Sequence, residues 1–333
     1  MIPTLDTESI EDRLRRRVTL LETAALAFPL ALALGLVGFG LTAGLPFAPD
    51  FDTYLNASIN AFDEFYYAYW SVPLFDLLRA IPVPYLAYLI WTALNIAGIF
   101  FAARVFGGSA VIALLSYQML FNTFYGQITG VIIAGLALVW WGLHRDRPLV
   151  VGVGMLLAAI KWQMGLPLIL MLWLLAETSW RVRWQALILP AVISLLSLVA
   201  YPLWPLAVIQ RLGAQPPSYH GSIALWHSFG ALSLLLWLPP LGLPLPRTQR
   251  LVALTAAAAL AVPYFQHTGL LALYALPIGW LGLIGNLGYV YVFTGESGLW
   301  VVALMPLIAY AWALIPALRL RFSSFQTQQS RVQ

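Results

Sequence analysis

Long apolar runs, separated by short polar breaks, dominate the pattern along this 333-residue chain. Runs fall at 20–45, 84–106, 109–125, 128–143, 148–160, 164–177, 186–205, 229–244, 251–265, 268–284 and 298–317. They are continuous rather than alternating, which selects helices over barrel strands, the two structures that satisfy backbone groups in lipid. The pattern predicts an all-α, polytopic membrane protein of about 10–12 transmembrane helices. Several runs are shorter than a full crossing, which implies broken helices around an internal cavity.

Charge placement orients the runs. Arg13, Arg15, Arg16 and Arg17 precede the first run, and the positive-inside rule puts them in the cytoplasm. Alternate turns then bring Arg145/Arg147, Arg181/Arg183 and Arg247/Arg250 to the same side. Eleven spans would leave Arg319 and Arg321 outside, so the division of 282–298 stays open. The expected organisation is one transmembrane domain over 1–333 in the plasma membrane, with an amphipathic cytoplasmic lead-in at 1–19. Ser9 and Asp12 have capping-box spacing there, and the segment is expected to lie on an anionic membrane surface. An extracytoplasmic loop with interfacial helices occupies 46–83, and a polar tail 318–333. No internal repeat stands out.

Composition agrees: mean hydropathy is +0.84 and only 9% of residues are charged, against roughly a quarter in soluble domains. There are no cysteines, which excludes disulfides, thiolate catalysis and zinc–sulfur sites. The 17 basic residues are scattered in twos and threes, so a nucleic-acid partner is not expected. Membrane lipids are.

One stretch departs from the pattern. Five of the 13 acids (Asp50, Asp52, Asp63, Glu64 and Asp76) lie within "FAPDFDTYLNASINAFDEFYYAYW" and the segment just after it. An acid held against low-dielectric material has a raised pKa and becomes a usable base. Asp63 and Glu64 are adjacent, so on a helix they point in different directions. Tyr66, Tyr67, Tyr69 and Trp70 read as an interfacial aromatic belt.

The other polar residues expected on that side include Lys161, the chain's single lysine, placed at the end of a short apolar run. An ionisable group at membrane depth is costly and marks a functional site or a snorkelling cation. Gln127 stands at a corner between two runs, as a ligand contact or as a cap for backbone carbonyls. Gln266, His267, His227, His220, Arg211 and Arg79 complete the set, each with a packing or solvated reading beside a functional one.

The order "DFDTY" (50–54), "PLFDLL" (73–78), "WTALN" (91–95), "GQ" (126–127), "AAIK" (158–161) and "PYFQH" (263–267) resembles the polyprenyl-phosphate-mannose-dependent branch of the C-type (GT-C) membrane glycosyltransferases. The resemblance covers about residues 20–285. It implies a bacterial hexosyltransferase that moves a sugar, mannose by family, from a polyprenyl-phosphate carrier to an acceptor hydroxyl on the outer face. Tyr54 fixes the register, so Asp50 inherits the role of general base, with Asp52 as runner-up. The resemblance puts Lys161, His267 and Gln127 on the phosphate or substrate beside Tyr54; His227, which precedes a helix start whose N–H groups could meet a phosphate, and the outer-face residues Gln266 and Arg211 are further candidates for binding it. Transfer by single displacement inverts the anomeric centre and needs no covalent nucleophile. No cofactor is required beyond the lipid-linked sugar, although Asp50 and Asp52 together could hold Mg²⁺. Two departures stand against the family pattern: the chain is shorter, and Gln266 stands where an acid is expected. They leave open a catalytically inactive, structural subunit of a larger complex. A lipid-linked-substrate flippase would need ionisable residues buried along several spans, and the spans are nearly free of charge.

Overall fold

The computed structural model describes residues 9–43, 48–57, 65–214, 222–295 and 299–329, with the side chains of 211–214, 291–292, 299 and 318–329 left out. Asp63, Glu64 and His220 lie outside the described residues. Among the described residues all elements are helical. The nearest approach to a strand is an isolated antiparallel bridge between Ser222 and Gln266.

The chain opens with α1 (Ile10–Arg15), α2 (Leu20–Ala43), α3 (Pro49–Asn56), α4 (Val72–Arg79) and α5 (Pro84–Phe106). There follow α6 (Ala110–Leu114), α7 (Tyr117–Tyr125), α8 (Thr129–His144), α9 (Pro148–Ala158), α10 (Trp162–Leu175), α11 (Trp180–Ala200) and α12 (Trp204–Ala214). The last third holds α13 (Trp226–Phe229), α14 (Leu238–Gly242), α15 (Arg247–Ala261), α16 (Leu271–Tyr274), α17 (Tyr289–Thr294) and α18 (Leu299–Gln329).

Among the described residues, four helices are long and apolar enough to cross a membrane, Leu20–Ala43, Pro84–Phe106, Trp180–Ala200 and Trp300–Ala317, and a fifth run, Pro148–Leu175, is so by total length and composition only. A sixth is possible if α7 and α8, bent by 116° at their junction, form one broken span. This is a multi-pass membrane architecture with fewer full-length helices than the apolar runs predict. The difference is instructive at two places.

First, Pro148–Leu175 is folded at its middle. A Cβ on Gly165 would lie 1.9 Å from the Ala158 carbonyl oxygen. Seven residues of straight helix would hold those positions about 10 Å apart. The break is at Lys161, whose φ of −99° and ψ of 75° are not helical. So α9 and α10 are the arms of a hairpin, roughly 16 and 21 Å long, each too short for a hydrocarbon core of about 30 Å. Both arms start or finish beside the same end of α8, where Arg147 N–H donates to Gly142 and Arg247 reaches the Leu175 carbonyl.

Second, the run at 268–284 makes one turn of α16 flanked by 3₁₀ segments at His267–Leu270 and Gly279–Gly288. Gly279, Gly282, Gly285 and Gly288 recur every third residue, the repeat of a 3₁₀ helix. The glycine face lies on aromatic rings: a Cβ at Gly285 would meet the Tyr274 hydroxyl, and one at Gly288 the Tyr117 ring. That spacing explains why 282–298 divides poorly into spans.

Arginines of α1, α5, α15 and the α8–α9 turn gather at one end. Arg13 donates to the last carbonyls of α5, Arg104 and Val105, at 3.1 and 2.9 Å, while the Arg104 side chain returns bonds to the Arg13 and Arg16 carbonyls and to Glu22. Arg145 pairs with Glu11, and Arg247 lies over the Trp140 ring at 4.7 Å. The lead-in helix α1, which the sequence places on the lipid surface, is thereby docked onto the bundle end. The basic clusters do share one end, as their phase predicts. The polar C-terminal stretch continues α18 as far as Gln329.

Candidate functional site

The acid-bearing loop is plugged into the bundle by its aromatic residues. Ala48 leads into α3 with a left-handed φ of 53°, a backbone choice that costs a non-glycine residue about 1–2 kcal/mol. Pro49 then starts the helix. Phe51 and Tyr54, three apart, share one face. Phe51 packs on Tyr88 and Trp91 of α5, and Tyr54 stacks on Phe75 of α4 at 5.0 Å. Trp91 is seven residues into α5, so α3 reaches about 10 Å below the start of that helix. Asp50 is carried in with this face and is half-buried, whereas Asp52, roughly 200° further round, is exposed.

Opposite Asp50 is the corner between α7 and α8. Gly126 turns the chain with φ of 68°, and a Cβ there would lie 2.6 Å from the Phe51 Cβ. Trp91 Nε1 donates to the Gly126 carbonyl at 2.8 Å, and Asn95 Oδ1 accepts from Gly130 N–H at 2.8 Å. Trp91 and Asn95 therefore pin the corner, which gives the "WTALN" segment a structural role. The corner presents Gln127, whose Nε2 donates to Asp50 Oδ2. Tyr54 donates to Gln127 Oε1 at 3.5 Å, and the Tyr54 and Tyr67 hydroxyls are 3.2 Å apart.

Lys161 comes from the hairpin tip. The segment 65–71 is strapped across that tip by Ala68 N–H to Ile160, by Trp70 Nε1 to Leu156 and by Trp162 Nε1 to Tyr66. Enclosed by the strap, Lys161 is only 5% exposed. Its Nζ donates to Gln266 Oε1 at 2.7 Å. Gln266 is held by the Ser222 bridge, by Ile223 N–H to Phe265 at 2.9 Å, and by Phe265 N–H to Ser222 Oγ. His267 follows, buried between the rings of Tyr117 and Phe121, with centroids at 5.4 and 5.2 Å.

The charges feel one another. Burial pushes the Asp50 carboxyl above its usual range, and the Lys161 ammonium pulls it partly back. Asp52 is raised by burial alone. Tyr67 is held in its neutral form, first by burial and then by the Asp50 charge, and Tyr264 also faces that charge. His267 lies within the field of Lys161. Among the described residues no three His, Asp or Glu side chains gather where a metal ion could be held.

Asp50, Tyr54, Gln127, Lys161, Gln266 and His267 thus converge on one region away from the arginine end. Of the other candidates, Asp52, His227 and Arg79 do not join them. Asp52 faces outward. His227 is largely exposed and bonds Ser222 Oγ at 3.2 Å at the edge of the region, and partial desolvation lowers its pKa. Arg211 lies in α12, its side chain outside the description. Arg79 bonds Asp76 and the Ala57 carbonyl instead of entering the site. Tyr67 and Tyr264 are additions: Tyr67 stands in a segment that reads as an interfacial aromatic belt, and Tyr264 stands within the "PYFQH" motif, where Gln266 and His267 are the residues singled out.

No protein-family model, curated protein or solved structure matches the chain.

Proposed function

We propose that the chain is a GT-C-like membrane hexosyltransferase that moves a sugar, mannose as the leading choice, from a polyprenyl phosphate to an acceptor hydroxyl. Asp50 takes the proton of the acceptor hydroxyl as its oxygen attacks the anomeric carbon. The bond from that carbon to the phosphate oxygen breaks, and the electron pair leaves with the polyprenyl phosphate. Lys161, with Gln266 and His267 beside it, meets the negative charge that builds on the departing phosphate. The anomeric centre inverts.

The observation that carries this reading is the meeting of Asp50 with Lys161. A base and a cation lie close enough for each charge to act on the other, yet each bonds a neutral amide, Gln127 or Gln266. An ion pair closed on itself would have no capacity left for chemistry. A carboxylate and an ammonium held apart can face an acceptor and a leaving group.

The same amides favour a second reading, a structural subunit without activity, because each charge already has a partner. Incubating the purified protein with radiolabelled polyprenyl-phosphate-mannose and a membrane extract separates the two. Transfer of label to a membrane acceptor is expected. A donor returned intact under conditions where the protein is folded would favour the structural subunit.

A further inference from the structure

We infer that Gln127 is a positioning residue for Asp50, and that Tyr54 and Tyr67 fix the orientation of its amide. The inference rests on Asp50 being the base. It moves Gln127 from the phosphate, where the family resemblance puts it, to the carboxylate.

Gln127 is 2% exposed, and its backbone cannot shift far. Its N–H donates to the Asn122 carbonyl at 2.9 Å, Gly126 before it is bonded by Trp91, and Gly130 beyond it by Asn95. Its amide has one donating and one accepting end. An ionised carboxylate only accepts, so the NH₂ end must face Asp50; the reverse orientation would set the carbonyl oxygen against a negative charge. The Oε1 end is then left for the Tyr54 hydroxyl. Tyr54, having donated its proton to Gln127, can accept from Tyr67. The bonds run one way: Tyr67 to Tyr54, Tyr54 to Gln127, Gln127 to Asp50. In a buried, low-dielectric setting such a chain polarises each member.

Two consequences follow for Asp50. One oxygen, Oδ2, is fixed, so Oδ1 is aimed for the acceptor hydroxyl. The donated bond also favours the ionised form and opposes the effect of burial. Among the described residues, the charged and titratable groups that act on or feel this carboxyl include Lys161 from the hairpin tip, Tyr67 from the strap, Tyr264 from the segment after α15, and Tyr54 on its own helix. Lys161 is the one cation among them.

The test reads Asp50 without needing sugar transfer. Dicyclohexylcarbodiimide adds to protonated carboxyls in apolar surroundings: the carboxyl oxygen bonds the carbodiimide carbon and the proton goes to nitrogen. Purified full-length protein is labelled across a pH series, and the adducts at Asp50 and Asp52 are counted by peptide mass spectrometry. In Gln127→Leu the labelling midpoint of Asp50 is expected to rise by at least about one pH unit, while that of Asp52, which does not touch Gln127, stays put. Gln127→Glu should raise it further, because two carboxyls would share one site. Tyr54→Phe should move it the same way by less. An unmoved Asp50 midpoint in folded Gln127→Leu overturns the inference. If that protein does not fold, an unmoved midpoint in Tyr54→Phe does so. Failure of the transferase reading would show elsewhere, as wild-type protein that transfers no sugar.

Discussion

The Lys161 ammonium donates to the Gln266 carbonyl oxygen at 2.7 Å, joining positions 105 residues apart. This bond ties the tip of the α9–α10 hairpin to the segment after α15. A neutral amide supports the ammonium without cancelling its charge, so the cation remains available to an anion. Lys161→Met should therefore lower sugar transfer by about 10²- to 10³-fold, the usual effect of removing one transition-state electrostatic partner. Thermal stability should change little or rise, since burying an ammonium is itself costly. Lys161→Arg should not restore the rate, because the enclosed tip fits a compact ammonium better than a planar guanidinium. Single-turnover transfer with matched detergent melting curves would check both halves.

Gly126 is expected to be among the most sensitive positions near the site. Gly126→Ala places a methyl 2.6 Å from the Phe51 Cβ at a φ of 68°. The left-handed backbone costs an alanine about 1–2 kcal/mol and overpacking adds about 1–3 kcal/mol, so the loss should be roughly 2–5 kcal/mol. Because α3 carries Asp50, any relief by shifting α3 should also depress transfer. A melting curve and a transfer assay on the one variant would test this.

The pH dependence has a definite sign. Burial holds the Asp50 carboxyl above its ordinary value of 3.8, with Lys161 opposing in part, so the folded chain keeps this proton longer than the unfolded chain. Stability linked to Asp50 is full below that ordinary value and is lost as pH rises to the raised folded value. Asp50→Asn removes the titration. Its melting temperature relative to wild type should rise between pH 4 and pH 7, and a difference that does not vary with pH would contradict the assignment. Transfer itself should increase with pH through a midpoint above 3.8 as the base ionises.

His227→Ala is expected to leave transfer within about twofold of wild type. The ring is exposed and bonds Ser222 at the edge of the site, whereas Ser222 also bonds Phe265 N–H and sets the segment carrying Gln266. Ser222→Ala should be the more harmful change of the two, by about 1 kcal/mol in stability. Melting and transfer measured side by side would decide.

The sequence made the helical, membrane-embedded class legible, along with the common end of the arginine clusters, because apolar length and basic breaks are local properties. It also singled out Asp50, Lys161, Gln127, Gln266 and His267 as residues whose polarity is out of place. The hairpin stayed hidden because its signal is steric: Gly165 matters only once Ala158 is beside it. The 3₁₀ segment left a trace in its glycine period of three, which is readable only against a helix expectation of 3.6. Tyr67 is not separable in the sequence from the rest of its aromatic belt, since which way a ring faces depends on the strap over Lys161. Asp50 and Asp52 were separable only by the helical turn between them, which requires the face of α3 to be known.

The role of Asp50 is tested most directly by transfer of labelled hexose from polyprenyl phosphate, with wild-type and Asp50→Asn proteins purified to equal amounts and equal folded fraction. The asparagine keeps the shape and cannot take the acceptor proton, so the rate should fall by about 10²-fold or more while the donor still binds. Equal rates for the two proteins would contradict Asp50 as the base.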